Sequence, residues 1–411
     1  MLDDLFTLSQ TFLKLRNRPF KRYFLRDTPL ASRFSIIIGQ RGVGKTTAMV
    51  QHILEACGND LYTPKALYLQ ADHFLVADRN LYGIAEEFCN LGGELLCLDE
   101  LHKYPGWSRE LKSIHDTFPR LKIVASGSSA LEIAKGSHDL SRRAVVFRMH
   151  GMSFREFLGM RCGLELPSHS LEEIVSGHPR LADNVVTALD AKGLKVLALF
   201  REYLACGYYP YFSEFEDSAL FYLTLEQQVH TTLESDLIAI HQSLTGVSIK
   251  KIRKLLSIIA ALVPFTPDMK KLKSMLDIGD ERTLKLYLQY LEDAGVILTV
   301  SRGGKGLKGF EKPEKIYLNN PNMFHALSPG GRPDPGALRE AFFLCMLRPF
   351  HSATVANQGD FMVDGTHIFE IGGRSKGARQ LRGVESSYLA LDDMESGSGR
   401  KIPLWLFGFL Y

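Results

Sequence analysis

The sequence predicts an α/β protein built on a parallel sheet with helices on both faces, and three observations carry that reading. Short apolar runs at Phe34–Ile38, Ala66–Gln70, 94–98, 121–125 and Val145–Arg148 alternate with helical stretches, the pattern of parallel strands joined by crossover helices. The first run passes directly into Gly39-Gln40-Arg41-Gly42-Val43-Gly44-Lys45-Thr46-Thr47, a glycine-rich turn that opens a helix. The third run ends on two adjacent carboxylates, Asp99 and Glu100, at the strand end where open sheets of this kind bind ligands.

Ahead of the sheet, residues 1–30 read as a helix, with Leu5, Phe6, Leu8, Phe12 and Leu13 at roughly helical spacing. The basic segment after it, Arg16, Arg18, Lys21, Arg22 and Arg26, is expected to be a solvated face rather than a set of phosphate contacts.

In the glycine-rich turn each residue type has a task. Gly39, Gly42 and Gly44 let the backbone turn tightly, with positive φ where needed, so that successive amide N–H groups face an anion. The helix that follows adds the positive end of its dipole. Lys45 is long enough to reach the β- and γ-phosphates, and the Thr46 hydroxyl can ligate Mg²⁺. A chance Lys-Thr after a glycine turn needs no apolar strand in front of it, and here Ile36, Ile37 and Ile38 supply one. The turn therefore implies a nucleotide site.

About fifty residues downstream, Asp99 is placed to hold Mg²⁺ and Glu100 to orient and deprotonate an attacking water. The fourth run leads into Ala125-Ser126-Gly127-Ser128-Ser129. If that strand inserts between the other two, a hydroxyl at its tip lies near the γ-phosphate, with Ser126 and Ser128 both candidates. Before the fifth run, Arg142-Arg143 offers a guanidinium to neutralise charge on the transferred phosphoryl group, in cis or across a subunit boundary, with Arg143 preferred.

These residues also carry a resemblance. Residues 39–46, the Leu98-Asp99-Glu100-Leu101-His102-Lys103 run with Trp107 after it, Ser126-Gly127-Ser128-Ser129, and Gly151-Met152-Ser153-Phe154-Arg155-Glu156-Phe157-Leu158 together resemble prokaryotic AAA-type ATPases with a C-terminal nuclease-like domain of unknown function. The resemblance runs from about residue 15 to the end. It implies a P-loop NTPase core, with ATP and Mg²⁺ as ligands. The family usually has Gly-Arg where this chain has Arg142-Arg143, so Arg143 aligns with the family arginine. Gly151 and Met152 replace the proline and leucine that usually open the last block.

Four domains are expected: the ATPase core with its N-terminal helix over 1–150, a helical lid or connector over 151–245, a winged-helix domain over 246–328, and a degenerate nuclease-like domain over 329–411. In the second, Leu194 to Leu204 is amphipathic and Gly207-Tyr208-Tyr209-Pro210 breaks the pattern. In the third, Ile252, Leu255, Leu256 and Ile259 form one apolar stripe, Met269–Leu276 a short helix, and Leu284, Leu288 and Leu291 the inner face of another. A hairpin follows around the basic loop from Arg302 to Lys308, and Arg282, Lys285 and Gln289 face outward, an arrangement suited to DNA.

In the last domain Glu340, Asp360, Glu370 and Gln380 follow helix–strand–strand–helix order. This resembles the restriction-endonuclease-like core, in which two strand carboxylates hold Mg²⁺ and a lysine two positions beyond the second activates water. Gly372 stands at that lysine position, so cleavage is not expected unless Lys376 takes the role by folding back.

Composition sets the outer bounds. A chain of 411 residues with 45% hydrophobic and 23% charged residues is a folded protein of several domains. It contains no apolar run of about eighteen residues, so no membrane partner is expected. The acidic start, Met1-Leu2-Asp3-Asp4, is unlike a signal peptide, and six scattered cysteines suggest reduced thiols; both point to the cytoplasm. A net charge of +3 does not by itself imply nucleic acid. The expected function is Mg²⁺-dependent ATP hydrolysis that rearranges the winged-helix and C-terminal domains on a partner, with DNA, another protein or a second copy as candidates. The alternatives are a DNA- or protein-binding module that keeps ATP as a structural ligand, and an ATP-regulated nuclease.

Overall fold

The computed structural model describes residues 2–77, 79–127, 140, 142–241, 243–302, 313–328, 330, 333–377, 381 and 383–411. The chain divides into two units: Met1–Gly151 with Ser235–Ser243, and Met152–Glu234 with Leu244–Tyr411.

The first unit holds a five-stranded sheet of β1 (Phe34–Ile38), β2 (Ala66–Gln70), β3 (Leu95–Asp99), β4 (Lys122–Gly127) and β5 (Val145–Arg148) in the order β2-β3-β4-β1-β5. Every neighbouring pair is parallel. Three strands have the expected bounds, whereas β3 and β4 each start one residue late, β3 running on to Asp99 and β4 to Gly127. β1 is buried along its whole length, which is why it reads as an unbroken apolar run rather than an alternation. Each isoleucine buried there contributes roughly 1.5–3 kcal/mol.

The helix α1 (Leu2–Arg16) buries Leu5 and Leu13, and its Ser9 Oγ accepts the Tyr68 backbone N–H at 3.0 Å. That bond satisfies a donor on β2, an edge strand whose free backbone would otherwise invite pairing. The basic segment after α1 departs from expectation at Arg22. Its side chain is buried and donates to the carbonyls of Val43 (2.6 Å), His150 (3.0 Å) and Gly151 (2.7 Å). Three backbone acceptors repay the desolvation of one guanidinium, and they fasten the glycine-rich turn to the end of the unit.

In the second unit, helices predominate up to residue 347. The helix Val196–Glu202 passes into a π turn, Tyr203–Gly207. Carbonyls released there at Tyr203 and Leu204 accept from Asn322 Nδ2 at 3.1 and 3.0 Å, while Asn322 Oδ1 accepts from the Tyr208 N–H at 2.8 Å. A Cβ on Gly207 would meet the Tyr203 ring at 2.5 Å and the Phe157 ring at 2.7 Å. The break seen in the sequence is thus a close-packed turn held by one buried asparagine.

Three helices follow, Gly246–Leu262, Met269–Leu276 and Glu281–Asp293, then an antiparallel hairpin of β6 (Ile297–Val300) and β7 (Lys315–Leu318). The expected stripe residues Ile252, Leu255, Leu256, Ile259, Leu284, Leu288 and Leu291 are all buried. Residues 303–308 of the basic loop lie outside the described residues. A second sheet closes the unit, with β8 (Ala353–Val355), β9 (Phe361–Val363), β10 (His367–Gly372), β11 (Ser387–Leu391) and β12 (Lys401–Pro403) in the order β12-β11-β10-β9-β8. It is mixed: β10, β11 and β12 are parallel, and β8 and β9 run antiparallel to their neighbours. Among the described residues no helix is long and apolar enough to cross a membrane.

Candidate active site

Residues 39–47 link β1 to the helix α2 (Lys45–Ala56). Gly42 and Gly44 adopt φ of 84° and 101°, a region that side chains rarely enter. A Cβ on Gly39 would lie 2.3 Å from the Met149 carbonyl oxygen, so the strand–turn junction admits glycine there. Gly44 caps α2 without a side-chain hydrogen bond, and this leaves the first amides of the helix for an anion. Lys45 is buried and donates to the carbonyls of Gly39 (2.9 Å) and Gln40 (2.8 Å). Burial pulls its ammonium below the ordinary lysine value, against the opposing pull of Glu100 and Asp99.

The order of the sheet places β4 between β1 and β3, so Ser126 stands between the turn and the acid pair. Asp99 is buried at the end of β3. Its Oδ2 accepts from Thr46 Oγ1 at 2.6 Å and from the Tyr68 hydroxyl at 2.7 Å; its Oδ1 accepts from Ser126 Oγ and, at 3.1 Å, from the Glu100 amide. Burial and the Asp99 charge drive the Tyr68 hydroxyl far above the ordinary tyrosine value, so it stays a neutral donor. Ser128 lies outside the described residues.

Glu100 adopts the left-handed region, φ 53° and ψ 36°, a conformation costing a non-glycine residue roughly 1–3 kcal/mol and concentrated at functional sites. Its Oε2 is buried and, among the described residues, has no hydrogen-bond partner. Three cationic or ionisable groups lie within ion-pair distance of it without making a hydrogen bond: Lys103 Nζ at 3.4 Å, His102 Nε2 at 3.7 Å and Arg41 Nη2 at 4.0 Å. An orphaned carboxylate oxygen beside a phosphate cradle suits a base awaiting water. Sequence reasoning named neither Tyr68 nor Asp236, and gave His102 no role. The Tyr68 signal was a tyrosine inside an apolar strand next to the acid-tipped one.

Arg143 is placed elsewhere. Its Nε and Nη2 meet the two carboxylate oxygens of Asp116 at 2.7 and 2.8 Å, and together with His115 this pair holds the Asp116 carboxyl down at about 2.

In the second unit Glu340, Asp360 and Glu370 do gather, with two lysines among them. Lys315 Nζ lies 3.3 Å from Glu340 Oε2 and 3.5 Å from Asp360 Oδ1, and Tyr317 donates to Glu340 Oε2. Asp360 Oδ2 accepts from the Ile371 amide at 2.8 Å. Lys376 Nζ is 2.7 Å from Glu370 Oε1, and its methylenes fill the space over Gly372, where a Cβ would meet them at 2.7 Å. The chain therefore does fold back to bring Lys376 onto the second strand acid. Burial draws the Lys376 ammonium down, but the bond to Glu370 and the charges of Asp360, Glu370 and Glu340 outweigh it and leave it raised. Burial and Asp360 raise the Glu340 carboxyl. Gln380 lies outside the described residues, among which no group of three metal-ligating side chains is found.

Residues 31–158 match the family model described as an AAA domain. The chain thus carries an AAA domain, which implies ATP binding and supports nucleoside triphosphatase activity. Residues 197–334 match a domain of unknown function, DUF8612; Glu340, Asp360 and Glu370 fall beyond it. Over 206 residues the chain is 27% identical to an uncharacterized protein of Methanocaldococcus jannaschii, a match covering 48% of this chain and 41% of that one. The chain therefore spans well under half the length of this curated relative. Similar solved structures include the Walker-type ATPase PABY2304 of Pyrococcus abyssi, with 11% identity, 77% of this chain and 99% of that one covered, and a TM-score of 0.38. Another is Saccharomyces cerevisiae RIF2, with 14% identity, 49% and 82% coverage, and a TM-score of 0.28.

Proposed function

We propose that the protein is a Mg²⁺-dependent ATPase whose hydrolytic site is residues 39–47, Asp99, Glu100 and Ser126. The observation that carries this is the pairing of Thr46 with Asp99 at 2.6 Å beside the buried, unbonded Oε2 of Glu100. Mg²⁺, when bound, neutralises phosphate charge and fixes the leaving oxygens. Thr46 and Asp99 are the residues that would hold it, since every direct partner of Asp99 among the described residues is a neutral donor.

The amides of residues 39–47 cradle the phosphates, and Lys45 exchanges its loop carbonyls for phosphate oxygens. Glu100 accepts a proton from the attacking water as that oxygen bonds to the γ-phosphorus and the bond to the β-bridging oxygen breaks, leaving ADP and phosphate. Ser126 links Asp99 to the strand between the two motifs and reports the γ-phosphate. Arg143 acts in cis or across a subunit boundary, after leaving Asp116. Phosphate release measured with Mg²⁺ and ATP tests the reading. Turnover that survives Glu100→Gln unchanged would remove Glu100 as base, and specific activity that is flat against protein concentration would remove Arg143 as a residue supplied in trans.

For the load we favour DNA held by the helical and hairpin region. The helices Gly246–Leu262 and Met269–Leu276 carry Lys250, Lys251, Arg253, Lys254, Lys270, Lys271 and Lys273 and no acidic residue, and these cations suit a phosphate track. Stimulation of phosphate release by duplex DNA supports this; equal rates with and without DNA oppose it. The C-terminal cluster we read as a degenerate nuclease-like module kept for binding or assembly, because lysines occupy its acids. Mg²⁺-dependent nicking abolished by Asp360→Ala would reverse that reading.

A further inference from the structure

We infer that Asp236 is a positioning residue for Arg41 and Glu100, and that the Ser235–Ser243 segment carrying it sets how readily Glu100 meets water; this rests on the ATPase reading above. The segment belongs to the first unit, whereas the chain on either side of it, up to Glu234 and from Leu244, belongs to the second. Asp236 lies 137 residues beyond Asp99 in the chain, and its side chain is 3% exposed.

Its Oδ1 accepts from Arg41 Nη2 at 3.3 Å and lies 3.8 Å from His102 Nε2. The same two atoms, Arg41 Nη2 and His102 Nε2, face Glu100 Oε2 at 4.0 and 3.7 Å. One guanidinium nitrogen and one imidazole nitrogen are therefore shared between a structural carboxylate and the proposed base. Arg41 sits closer to Asp236 than to Glu100. A buried carboxylate that lost this guanidinium would lose a charge-assisted hydrogen bond, which holds Arg41 on the Asp236 side. Lys103, which also faces Glu100, is held at 2.6 Å by Asp72.

The consequence is electrostatic. While Asp236 holds Arg41, Glu100 Oε2 remains without a hydrogen bond and free to accept one from water. If the Asp236 charge is removed or the segment withdrawn, Arg41 closes on Glu100 and occupies the oxygen that the reaction uses. Both flanks of the segment continue into the second unit, so the backbone itself joins Asp236 to that unit.

The test measures kcat by phosphate release and Kd with a fluescent ATP analogue for the full-length wild type, Asp236→Asn, Arg41→Gln and the double variant. Asp236→Asn is expected to lower kcat by about tenfold or more with Kd changed less than about threefold. Adding Arg41→Gln to it should restore part of kcat, because the clamping group is gone, a non-additivity that a merely structural role would not produce. Asp236→Glu, which keeps the charge, should rescue. If Asp236→Asn does not fold, Asp236→Ser is read in its place, with the same split between kcat and Kd. Wild-type turnover with an unaffected Asp236→Asn, or strictly additive losses in the double variant, overturns this proposal alone. Absence of turnover in the wild type overturns the ATPase reading and this proposal together.

Discussion

Asp99 in the first unit and Glu370 in the second are equally buried, each 1% exposed, yet their charges are met in opposite ways. Around Asp99 the direct donors are hydroxyls and an amide from Thr46, Tyr68, Ser126 and Glu100. Around Glu370 and its neighbours the partners include the ammonium groups of Lys376 and Lys315. Neutral donors orient a carboxylate without cancelling its charge, so the first arrangement keeps a negative charge that, on the reading proposed above, a cation completes. Ammonium groups cancel the charge from within, so the second is complete as it stands. Two carboxylates, equally dry, thus keep their charge in one cluster and have it neutralised in the other.

The widest separation between the two should come from Lys45→Ala. It is expected to abolish nucleotide binding, at least about a hundredfold in Kd by fluorescence titration, while leaving the thermal stability of the second unit intact. Glu100→Gln should lower phosphate release by about a hundredfold or more while binding persists; a smaller loss would mean that another group takes the proton. Tyr68→Phe removes one of the two donors to Asp99 Oδ2 and should raise the Mg²⁺ concentration needed for half-maximal turnover about tenfold.

Lys376→Met converts the second cluster toward the first. It should lower Tm in metal-free buffer, and excess Mg²⁺ should then raise Tm of the variant more than that of wild type. Equal Mg²⁺ responses would show that lysine occupancy is not what keeps the acids from a metal. The smallest effect belongs to Asp116→Asn. The folded Asp116 carboxyl sits near 2, below the unfolded value of about 3.9. Its contribution is therefore complete above the unfolded value and lost as pH falls through about 2. The variant and wild type should differ slightly in Tm at pH 7 and converge near pH 2.

What the sequence made legible follows from locality. The glycine turn, Lys45 and Thr46 are contiguous, and Asp99 and Glu100 end a strand whose apolar run announces it, so neither needs long-range contacts to be recognised. Strands β1 to β4 were readable because parallel strands buried on both faces are nearly continuous in apolar residues. Tyr68 was hidden because an apolar strand accommodates a tyrosine without declaring where its hydroxyl goes. Arg22 looked like one more surface cation, and only the meeting of Val43, His150 and Gly151 around it shows why it is buried. Lys376 depended on a backbone reversal over Gly372, which a two-residue spacing rule does not contain. The gathering of Glu340, Asp360 and Glu370 was legible in outline from the order of elements; the intrusion of Lys315 from a hairpin strand was not.

The return of Ser235–Ser243 to the first unit bears on how this chain can be rearranged by recombination. A cut at Gly151, where sequence pattern and contiguous folding both suggest a natural end, separates Arg41 and His102 from Asp236. The stretch that matches the AAA domain also stops short of it, at residue 158. An exchange of modules at that seam would carry the glycine-rich turn, Asp99 and Glu100 into a new host while leaving behind the aspartate that faces Arg41 and His102. Such chimaeras would be expected to inherit nucleotide binding more readily than turnover. The halves of this protein are in that sense not interchangeable cassettes, because one of them completes itself with a piece encoded inside the other.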